Sequence, residues 1–400
     1  MSDIKINSQQ IYNYSIALFI VAFIVFYFTD GLSKYIFRTN AGFYRFGPII
    51  KGLFEMLVLL YGLITLRNSK LIFLSGILLL ALSFLIGQFF LSFNYAELSF
   101  LENFNSLFKY LFPLILYLIA IDIISHKKYP VLLLKTYKSI LSINSFLILI
   151  GILYGVAVFR TYAGINRFGY DGLIFAQNEA SFIFIFSITF VYYRRFYLGI
   201  KERFFWVTII PSIFVATKAI YLFLVLLLIY HLVKRVPLKK LLFFATSSIL
   251  MGYLLFYTTL NKIIINSYGV FMHTYRKGGF LNALLSGRNS YIESKFKPLV
   301  FETWSLPNFI FGGQDVKSHY VEMGFLDLFL FFGIFGSIVY LYLFYLIIRQ
   351  LRFSVYFKYF FIFSLILIIA TAGHFFESGI AGLHFIILVL LSRVEKYKLT

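Results

Sequence analysis

Long apolar stretches alternate with short polar segments along almost the whole chain. A helix that crosses a bilayer needs roughly 20 apolar residues. Twelve stretches are predicted to be such spans, namely residues 11–29, 48–66, 71–92, 105–124, 139–159, 173–193, 204–216, 218–233, 240–258, 321–348, 357–373 and 379–392. The interval 259–320 is predicted to be one long loop between spans nine and ten. The pattern indicates an all-α polytopic membrane protein, with residues 1–400 forming a single integral membrane domain.

Residues 204–233 are short for two full crossings and long for one. Basic residues flank the segment on both sides, at Arg194, Arg195, Lys201, Arg203, Lys234, Arg235, Lys239 and Lys240. Because cytoplasmic segments are enriched in Lys and Arg, both flanks are assigned to the cytoplasm. The segment is then predicted to be a hairpin of two short helices, broken at Pro211 and turning at Ala216-Thr217-Lys218.

The distribution of all charges predicts an orientation in the membrane. When both termini are placed in the cytoplasm, the inner segments hold 21 of the 36 basic residues and only 4 of the 16 acidic residues. This bias follows the positive-inside rule. It predicts a multi-pass protein with cytoplasmic termini and puts the loop 259–320 on the outer face.

The composition excludes several classes of protein. The chain is 61% hydrophobic and 13% charged, whereas soluble domains carry about 25% charged residues. The net charge of +20 lies in short clusters between apolar stretches, as topology signals do, so no nucleic-acid partner is expected. The lack of cysteine excludes disulfide and iron–sulfur chemistry. Without a metal-binding or Walker motif, no metal or cofactor is predicted.

Three cations are candidates for binding a phosphate-containing substrate. Arg288 follows the small residues Ser286-Gly287, Arg167 lies between spans five and six, and Lys218 lies at the hairpin apex. Each also has an ordinary explanation, because a loop arginine can be solvated and a lysine can extend to the lipid headgroups. If they converge, they suit a diphosphate, since guanidinium binds phosphate in a bidentate manner and ammonium acts as a point charge.

Two pairs of histidine and glutamate are candidates for acid–base chemistry. His319 and Glu322 are three residues apart at a predicted helix start, so they are expected to share one helical face. This pair is either a base with its orienting carboxylate or a polar cap of the helix. His374 and Glu377 repeat the spacing, and a supporting role is favoured for them.

Further polar residues are expected near the outer ends of the spans. Arg160 follows span five, Asp327 lies near the start of span ten, and Asn178-Glu179 lies in span six as either a packing pair or part of a cavity wall. Charges within spans cost about 2.5–3.5 kcal/mol on insertion scales and usually mark a function. The outer charges together suggest a cavity that opens to the outside and is lined by both signs.

Four groups of short motifs follow one another between residues 169 and 374. They are Gly169-Tyr170-Asp171-Gly172 through Asn178-Glu179-Ala180-Ser181, then Ala216-Thr217-Lys218-Ala219, then Ser286-Gly287-Arg288 with Phe311-Gly312-Gly313, and finally Glu322-Met323-Gly324-Phe325-Leu326-Asp327 with Phe332-Gly333-Ile334-Phe335-Gly336 and Ala372-Gly373-His374. This order resembles the O-antigen and capsular polysaccharide polymerase (Wzy-type) family of the O-antigen ligase/polymerase superfamily. The resemblance covers roughly residues 160–392, and the first four spans match only in character.

The resemblance implies a metal-independent, inverting glycosyltransferase of the GT-C type in the cytoplasmic (inner) membrane of a bacterium. Such a polymerase transfers the growing glycan from undecaprenyl pyrophosphate to a lipid-linked repeat unit on the periplasmic or outer face. By the motif match, Lys218 and Arg288 hold the donor pyrophosphate, and Arg167 is a further candidate. His319 stands where the ligase branch has its catalytic histidine, but Tyr320 follows it instead of asparagine, so Glu322 is the substitute candidate for the base. Supporting roles are expected for Arg160, Asn178, Glu179, Asp327 and His374.

Two rival functions stay open at this point. A ligase would join finished glycan to the lipid A core, and a flippase would carry the lipid-linked oligosaccharide across the membrane. The closing motifs favour a polymerase over a ligase. Transporters often show paired repeats and broken midplane helices, and neither is visible in the sequence. The expected partners are undecaprenyl-pyrophosphate-linked oligosaccharides and the lipid bilayer, and a chain-length regulator is left open.

Overall fold

A computed structural model describes most of the chain. The described residues are 8–39, 46–95, 98–126, 128–162, 167–235 and 285–393, together with 269, 272, 273, 275, 276, 279, 282 and 283. Within them the protein is helical, and the one strand-like feature is a single antiparallel bridge between Arg160 and Tyr170.

Fourteen α-helices are labelled here in chain order within the described residues. They are α1 Ser8–Thr39, α2 Phe46–Ile64, α3 Asn68–Ser92, α4 Phe100–Ser125, α5 Val131–Tyr154, α6 Gln177–Phe196, α7 Phe204–Phe214, α8 Lys218–Arg235, α9 Arg288–Tyr291, α10 Leu306–Phe311, α11 Val316–His319, α12 Gly324–Arg349, α13 Val355–Ala372 and α14 Gly379–Leu391. After α9 the chain continues in the π-helical segments Ile292–Phe296 and Pro298–Thr303. Seven of the described helices, α1 to α5 with α12 and α13, are long and apolar enough to cross a membrane.

The predicted spans agree with these helices wherever the structure describes them. Eleven of the twelve fall on helices, and the ninth, 240–258, lies outside the described residues, as does much of the first part of the loop 259–320. The expectation of an all-helical chain with several membrane-length helices is therefore confirmed.

The segment 204–233 forms two helices, as expected, but it does not break at Pro211. That proline lies inside α7, which continues to Phe214, and the turn follows at Ala216, whose φ is +58°. The hydroxyl groups of Tyr197 and Tyr230 hydrogen-bond to each other. Since these tyrosines lie before α7 and near the end of α8, the two helices run in opposite directions.

The last helix lies at the centre of the fold. Every residue of α14 is buried, and the helix packs against α4 and α6. A helix that is apolar on all sides is expected to be surrounded by protein or lipid. Gly382 permits its close approach to α4, because a Cβ at this position would lie 2.9 Å from the Cβ of Pro113.

Ion pairs lie at both ends of the helical bundle and define its two faces. Glu202 pairs with Arg194 and Lys138, and Lys34 pairs with Asp171. We call the face with Glu202 the Glu202 face and the opposite one, with Arg288 and the Lys34–Asp171 pair, the Arg288 face. Each ion pair found in the described part of the chain joins two groups that the charge distribution assigned to the same side.

Helix α12 is interrupted at Gly333, a feature that the sequence pattern did not reveal. Gly333 has a φ of +66°, and a Cβ there would lie 2.4 Å from the backbone nitrogen of Gly312. Ser83 of α3 donates a hydrogen bond of 3.0 Å to the carbonyl oxygen of Phe332 beside the interruption. Helix α10 packs against α3 and α12 here, so this part of the predicted outer loop rests on the membrane helices.

Candidate functional site

A cavity of about 710 Å³ opens among the helix ends on the Arg288 face. We call it the site cavity. It lies between α1, α2, α4, the start of α6 and the linker from α13 to α14. Its polar lining includes Asp30, Arg38, Lys51, Glu55, Lys109, Asn178, Glu179, Tyr320, His374, Glu377 and Ser378.

The wall that α1 and α2 contribute carries charges of both signs. Lys51 donates to both carboxylate oxygens of Asp30, at 3.0 Å each. Glu55, one turn further along α2, is only 3% exposed, and its Oε2 has no hydrogen-bond partner among the described residues. A buried polar atom without a partner is costly, so this oxygen favours a bound donor in the cavity.

The opposite wall carries a hydrogen-bonded set of tyrosine, glutamate and histidine. Tyr110 donates to Glu377 Oε1 at 2.5 Å, and Tyr320 also hydrogen-bonds to Glu377. The Tyr320 hydroxyl lies 2.7 Å from His374 Nδ1. An imidazole with its proton on Nδ1 donates to the Tyr320 oxygen, which leaves the hydroxyl proton for Glu377.

Environment shifts the pKa of both titratable groups in the linker from α13 to α14. Burial, reinforced by the positive charges of Arg288 and Lys109, lowers the pKa of His374 to about 4. Burial raises the pKa of Glu377, and hydrogen bonds from Tyr110 and Tyr320 oppose the rise. His374 is therefore neutral near pH 7.

Electrostatic interactions link the three predicted cations near the site cavity. Lys218 lies within electrostatic range of Arg167 and Arg288, although the three come from separate segments of the chain. We call them the cation cluster. The Lys218 ammonium donates to Ser286 Oγ at 2.9 Å and to the Ala283 carbonyl at 2.6 Å. Arg167 stacks over the ring of Tyr162, 4.0 Å from its centroid.

Arg288 connects the cation cluster to the end of α13 and to the linker before α12. Its guanidinium donates to the Thr371 carbonyl at 3.2 Å and lies 3.5 Å from a carboxylate oxygen of Glu322. His374, on the cavity wall, is within electrostatic range of both Arg288 and Lys109. The cation cluster and the cavity are therefore neighbouring parts of one region.

Left-handed backbone is concentrated in this region. Four non-glycine residues in the described part of the chain have positive φ, namely Ala216 (+58°), Ser286 (+59°), Glu322 (+63°) and His374 (+65°). Ala216 and Ser286 each lie two residues before a member of the cation cluster. Glu322 and His374 each interact with Arg288. Such conformations cost of order 1–3 kcal/mol each and cluster at functional sites.

His319 and Glu322 do not share a helical face, so that expectation is wrong. His319 is the last residue of the short helix α11, while Glu322 lies in the non-helical linker before α12. The His319 ring packs edge-on against Tyr95, with centroids 5.1 Å apart, and its Nδ1 has no partner among the described residues. Burial lowers the pKa of His319, and the residue is not part of the cavity lining.

The residues expected to support the site divide into three groups. Asn178, Glu179 and His374 line the site cavity, where Glu179 accepts a hydrogen bond of 3.0 Å from Ser378. Asp327 accepts backbone N–H bonds from Val321 (2.8 Å) and Met323 (2.7 Å), so it fixes the linker before α12. The side chain of Arg160 is exposed, and only its carbonyl contacts Arg38.

Sequence reasoning missed most of the charges on the wall of the site cavity. Asp30, Arg38, Lys51, Glu55 and Lys109 belong to helices α1, α2 and α4, in the part of the chain that was expected to match the family only in character. The available signal was the presence of ionisable residues within or next to apolar spans, which is expensive and usually functional.

The fold and the site define a helical membrane protein with a charged, partly enclosed cavity at one face. No group of three or more His, Asp or Glu side chains in the described part of the chain could hold a metal ion. Comparison of the chain with protein-family models, with curated proteins and with solved structures gives no match. Any functional conclusion therefore depends on the site itself and on the motifs in the sequence.

Proposed function

We propose that this protein is a polysaccharide repeat-unit polymerase. It transfers a growing glycan from undecaprenyl pyrophosphate to the sugar of a lipid-linked repeat unit, without a metal ion and with inversion at the anomeric carbon. The observation that carries the proposal is that Lys218 lies within electrostatic range of both Arg167 and Arg288, which come from separate segments, near a cavity that contains titratable groups.

The chemistry of glycan transfer explains why such a cluster supports the proposal. A diphosphate leaves as the glycosidic bond breaks, so the largest need is for fixed cations where negative charge develops. Arg288 already contacts Glu322 and the Thr371 carbonyl. In the proposal, these contacts hold its guanidinium in place for the donor pyrophosphate.

The proposal includes a topology. Twelve spans in a GT-C-like arrangement, with cytoplasmic termini in a bacterial inner membrane, put the Arg288 face on the periplasmic or outer side. Both substrates are anchored by lipid, so a site near one end of the helices is accessible to each of them. The ion pairs within each face of the bundle support the two-sided arrangement.

Replacing Arg288 tests the proposed function. The purified protein is supplied with lipid-linked repeat units extracted from a strain that lacks the gene, and the lengths of the products are measured. Arg288→Ala is expected to slow chain extension by about 10²–10³-fold, because a charge-stabilising donor is lost. The matched control is Arg276→Ala, since Arg276 is an exposed arginine of the same loop, and it is expected to extend chains at the wild-type rate.

The outcomes separate the proposed polymerase from its rivals. Extended lipid-linked chains from the wild-type protein support a polymerase. Products that form only when a lipid A core acceptor is added indicate a ligase instead. In whole cells, repeat units trapped on the cytoplasmic leaflet after gene deletion indicate a flippase. Wild-type activity in a folded Arg288→Ala protein removes Arg288 from the site.

A further inference from the structure

The site cavity has features of a second substrate site that the cation cluster does not explain. Its volume of about 710 Å³ lies in the usual range of about 300–1,000 Å³ for small-ligand pockets. Phe108, Phe112 and Phe175 contribute apolar surface to its wall, which suits the C–H faces of a pyranose ring. The carboxylates of the lining are hydrogen-bond acceptors, which suit sugar hydroxyl groups.

We infer that the site cavity binds the acceptor sugar of the lipid-linked repeat unit, and that Glu377 is the carboxylate that takes the proton from the attacking hydroxyl group. This inference rests on the proposed function. It assigns a base that the family resemblance does not suggest, because the motifs point to His319 or Glu322 instead.

The position of Glu377 suits this role better than the positions of the two sequence candidates. Glu377 lines the site cavity, whereas neither His319 nor Glu322 belongs to its lining. Glu322 is already engaged with Arg288, and the His319 ring packs against Tyr95, which is also outside the cavity lining. A general base must reach the proton that it removes, so a group on the cavity wall is favoured.

The surroundings of Glu377 hold the carboxylate in one orientation. Tyr110 donates to it at 2.5 Å, and Tyr320 connects it to His374. The titratable and charged groups that face Glu377 are Lys109 and Tyr110 from α4, Tyr320 from the linker before α12, and Asp327 and Tyr340 from α12. His374 is connected to it through the Tyr320 hydroxyl group.

The reaction can be written with its bonds and charges balanced. The acceptor hydroxyl oxygen forms a bond to the anomeric carbon of the donor glycan while the bond from that carbon to the pyrophosphate oxygen breaks. The electron pair of the broken bond leaves on the pyrophosphate, next to the cation cluster. The hydroxyl proton moves to Glu377, which later releases it to water. Inversion follows because the hydroxyl group attacks from the face opposite the leaving group.

Single-turnover transfer tests the role of Glu377. With the same extracted lipid-linked repeat units, Glu377→Gln is expected to slow transfer by at least about 10²-fold, the usual contribution of general base catalysis. Binding of the donor lipid is expected to change less than threefold. His319→Gln is expected to slow transfer less than tenfold. Glu293→Gln is the matched control, because Glu293 is an exposed carboxylate on the same face, and it is expected to transfer at the wild-type rate.

Two further measurements distinguish a base from a structural carboxylate. Added formate is expected to restore transfer at least tenfold in Glu377→Ala, since a small carboxylate fits the space vacated in the cavity. Tyr320→Phe is expected to move the rising limb of the pH–rate profile to higher pH. The hydrogen bond from the Tyr320 hydroxyl group stabilises the charged form of Glu377, so loss of this bond raises the pKa of Glu377 further.

The results separate this inference from the proposed function. If the wild-type protein does not extend lipid-linked chains, the proposed function itself fails. If it does, and Glu377→Gln transfers within threefold of the wild-type rate, the assignment of Glu377 is wrong. It is also overturned if His319→Gln shows the larger loss, or if formate leaves Glu377→Ala unchanged and the pH limb of Tyr320→Phe does not move.

Discussion

His374 shows how one side chain on the cavity wall is kept in a single charge state. Two cations, Arg288 and Lys109, lie within electrostatic range, and burial acts in the same direction. Both effects disfavour the imidazolium form, so the ring that hydrogen-bonds to Tyr320 stays neutral. Because the fold favours the neutral ring, protonation of His374 in acid is expected to destabilise the folded state.

Stability is expected to depend on pH through His374. Its pKa falls from 6.5 in the unfolded chain to about 4 in the fold, so the unfolded state binds the proton first as pH drops. Its contribution is complete above 6.5 and is lost as pH falls towards about 4. Thermal unfolding in detergent across this range is expected to show a shallower slope for His374→Asn than for the wild-type protein.

An exposed histidine provides the control for this measurement. His273 is exposed in the structure, so His273→Asn is expected to keep the wild-type slope. An identical slope for His374→Asn and the wild-type protein would show that His374 does not titrate with folding.

At the scale of elements, the interruption of α12 determines where the described part of the long loop rests. Gly312 and Gly333 approach each other so closely that a Cβ on either would meet backbone atoms of the other segment within 2.5 Å. Helix α10 then lies against α3 and α12. This packing fixes the chain that leads into the linker before α12. Glu322 and Tyr320 in that linker are thereby held next to the site.

Replacing Gly333 by alanine is expected to destabilise the protein by at least about 2 kcal/mol, because a left-handed residue gains a Cβ and neighbouring backbone must move. The loss is measured as a lower midpoint of thermal unfolding. Gly52→Ala is the matched control, since a Cβ at Gly52 in α2 meets no atom within 4 Å. That change is expected to stabilise the helix by about 0.5–1 kcal/mol. Equal midpoints for the two variants would refute the role given to the close packing at Gly333.

At the scale of the whole molecule, the bundle separates two sets of charges that lie near opposite ends of its helices. The Glu202 face also holds the buried pair of Lys70 and Asp122, 2.6 Å apart, whereas the Arg288 face holds Lys34 with Asp171. Removing one partner of a buried pair costs about 3–5 kcal/mol. Each pair therefore ties two segments firmly together at its own end of the helices.

The natural chain has no cysteine, so single cysteines can report which face is accessible from outside the cell. Glu293→Cys lies on the Arg288 face, and Lys201→Cys lies on the Glu202 face, and both native side chains are exposed. An impermeant maleimide is expected to label position 293 in intact spheroplasts and position 201 only after permeabilisation. The reverse pattern would mean that the orientation is opposite to the one proposed.

The apolar pattern was sufficient to predict the helices, because the length and hydropathy of a span are local properties of the sequence. It was not sufficient for the kink, since Gly333 is one of several glycines in an apolar stretch. The sequence left open whether Arg167, Lys218 and Arg288 lie near one another, because proximity between distant segments depends on the fold and not on local pattern. The sequence predicted an outer cavity lined by both signs, but it did not indicate that Lys51 lines the cavity together with Glu377, because the two residues lie in distant parts of the chain.

The left-handed residues around the site have a consequence for attempts to make the protein more heat-resistant. Glycine at Ala216, Ser286, Glu322 or His374 would relieve a backbone penalty of order 1–3 kcal/mol, which is larger than the roughly 0.5–1 kcal/mol that the flexibility of glycine costs, so a screen for thermostability alone would favour changes at these positions. Three of the four hold or adjoin Lys218 or Arg288. Variants enriched in such a screen would therefore gain thermal stability while losing contacts or backbone constraints that hold Lys218 and Arg288 in place.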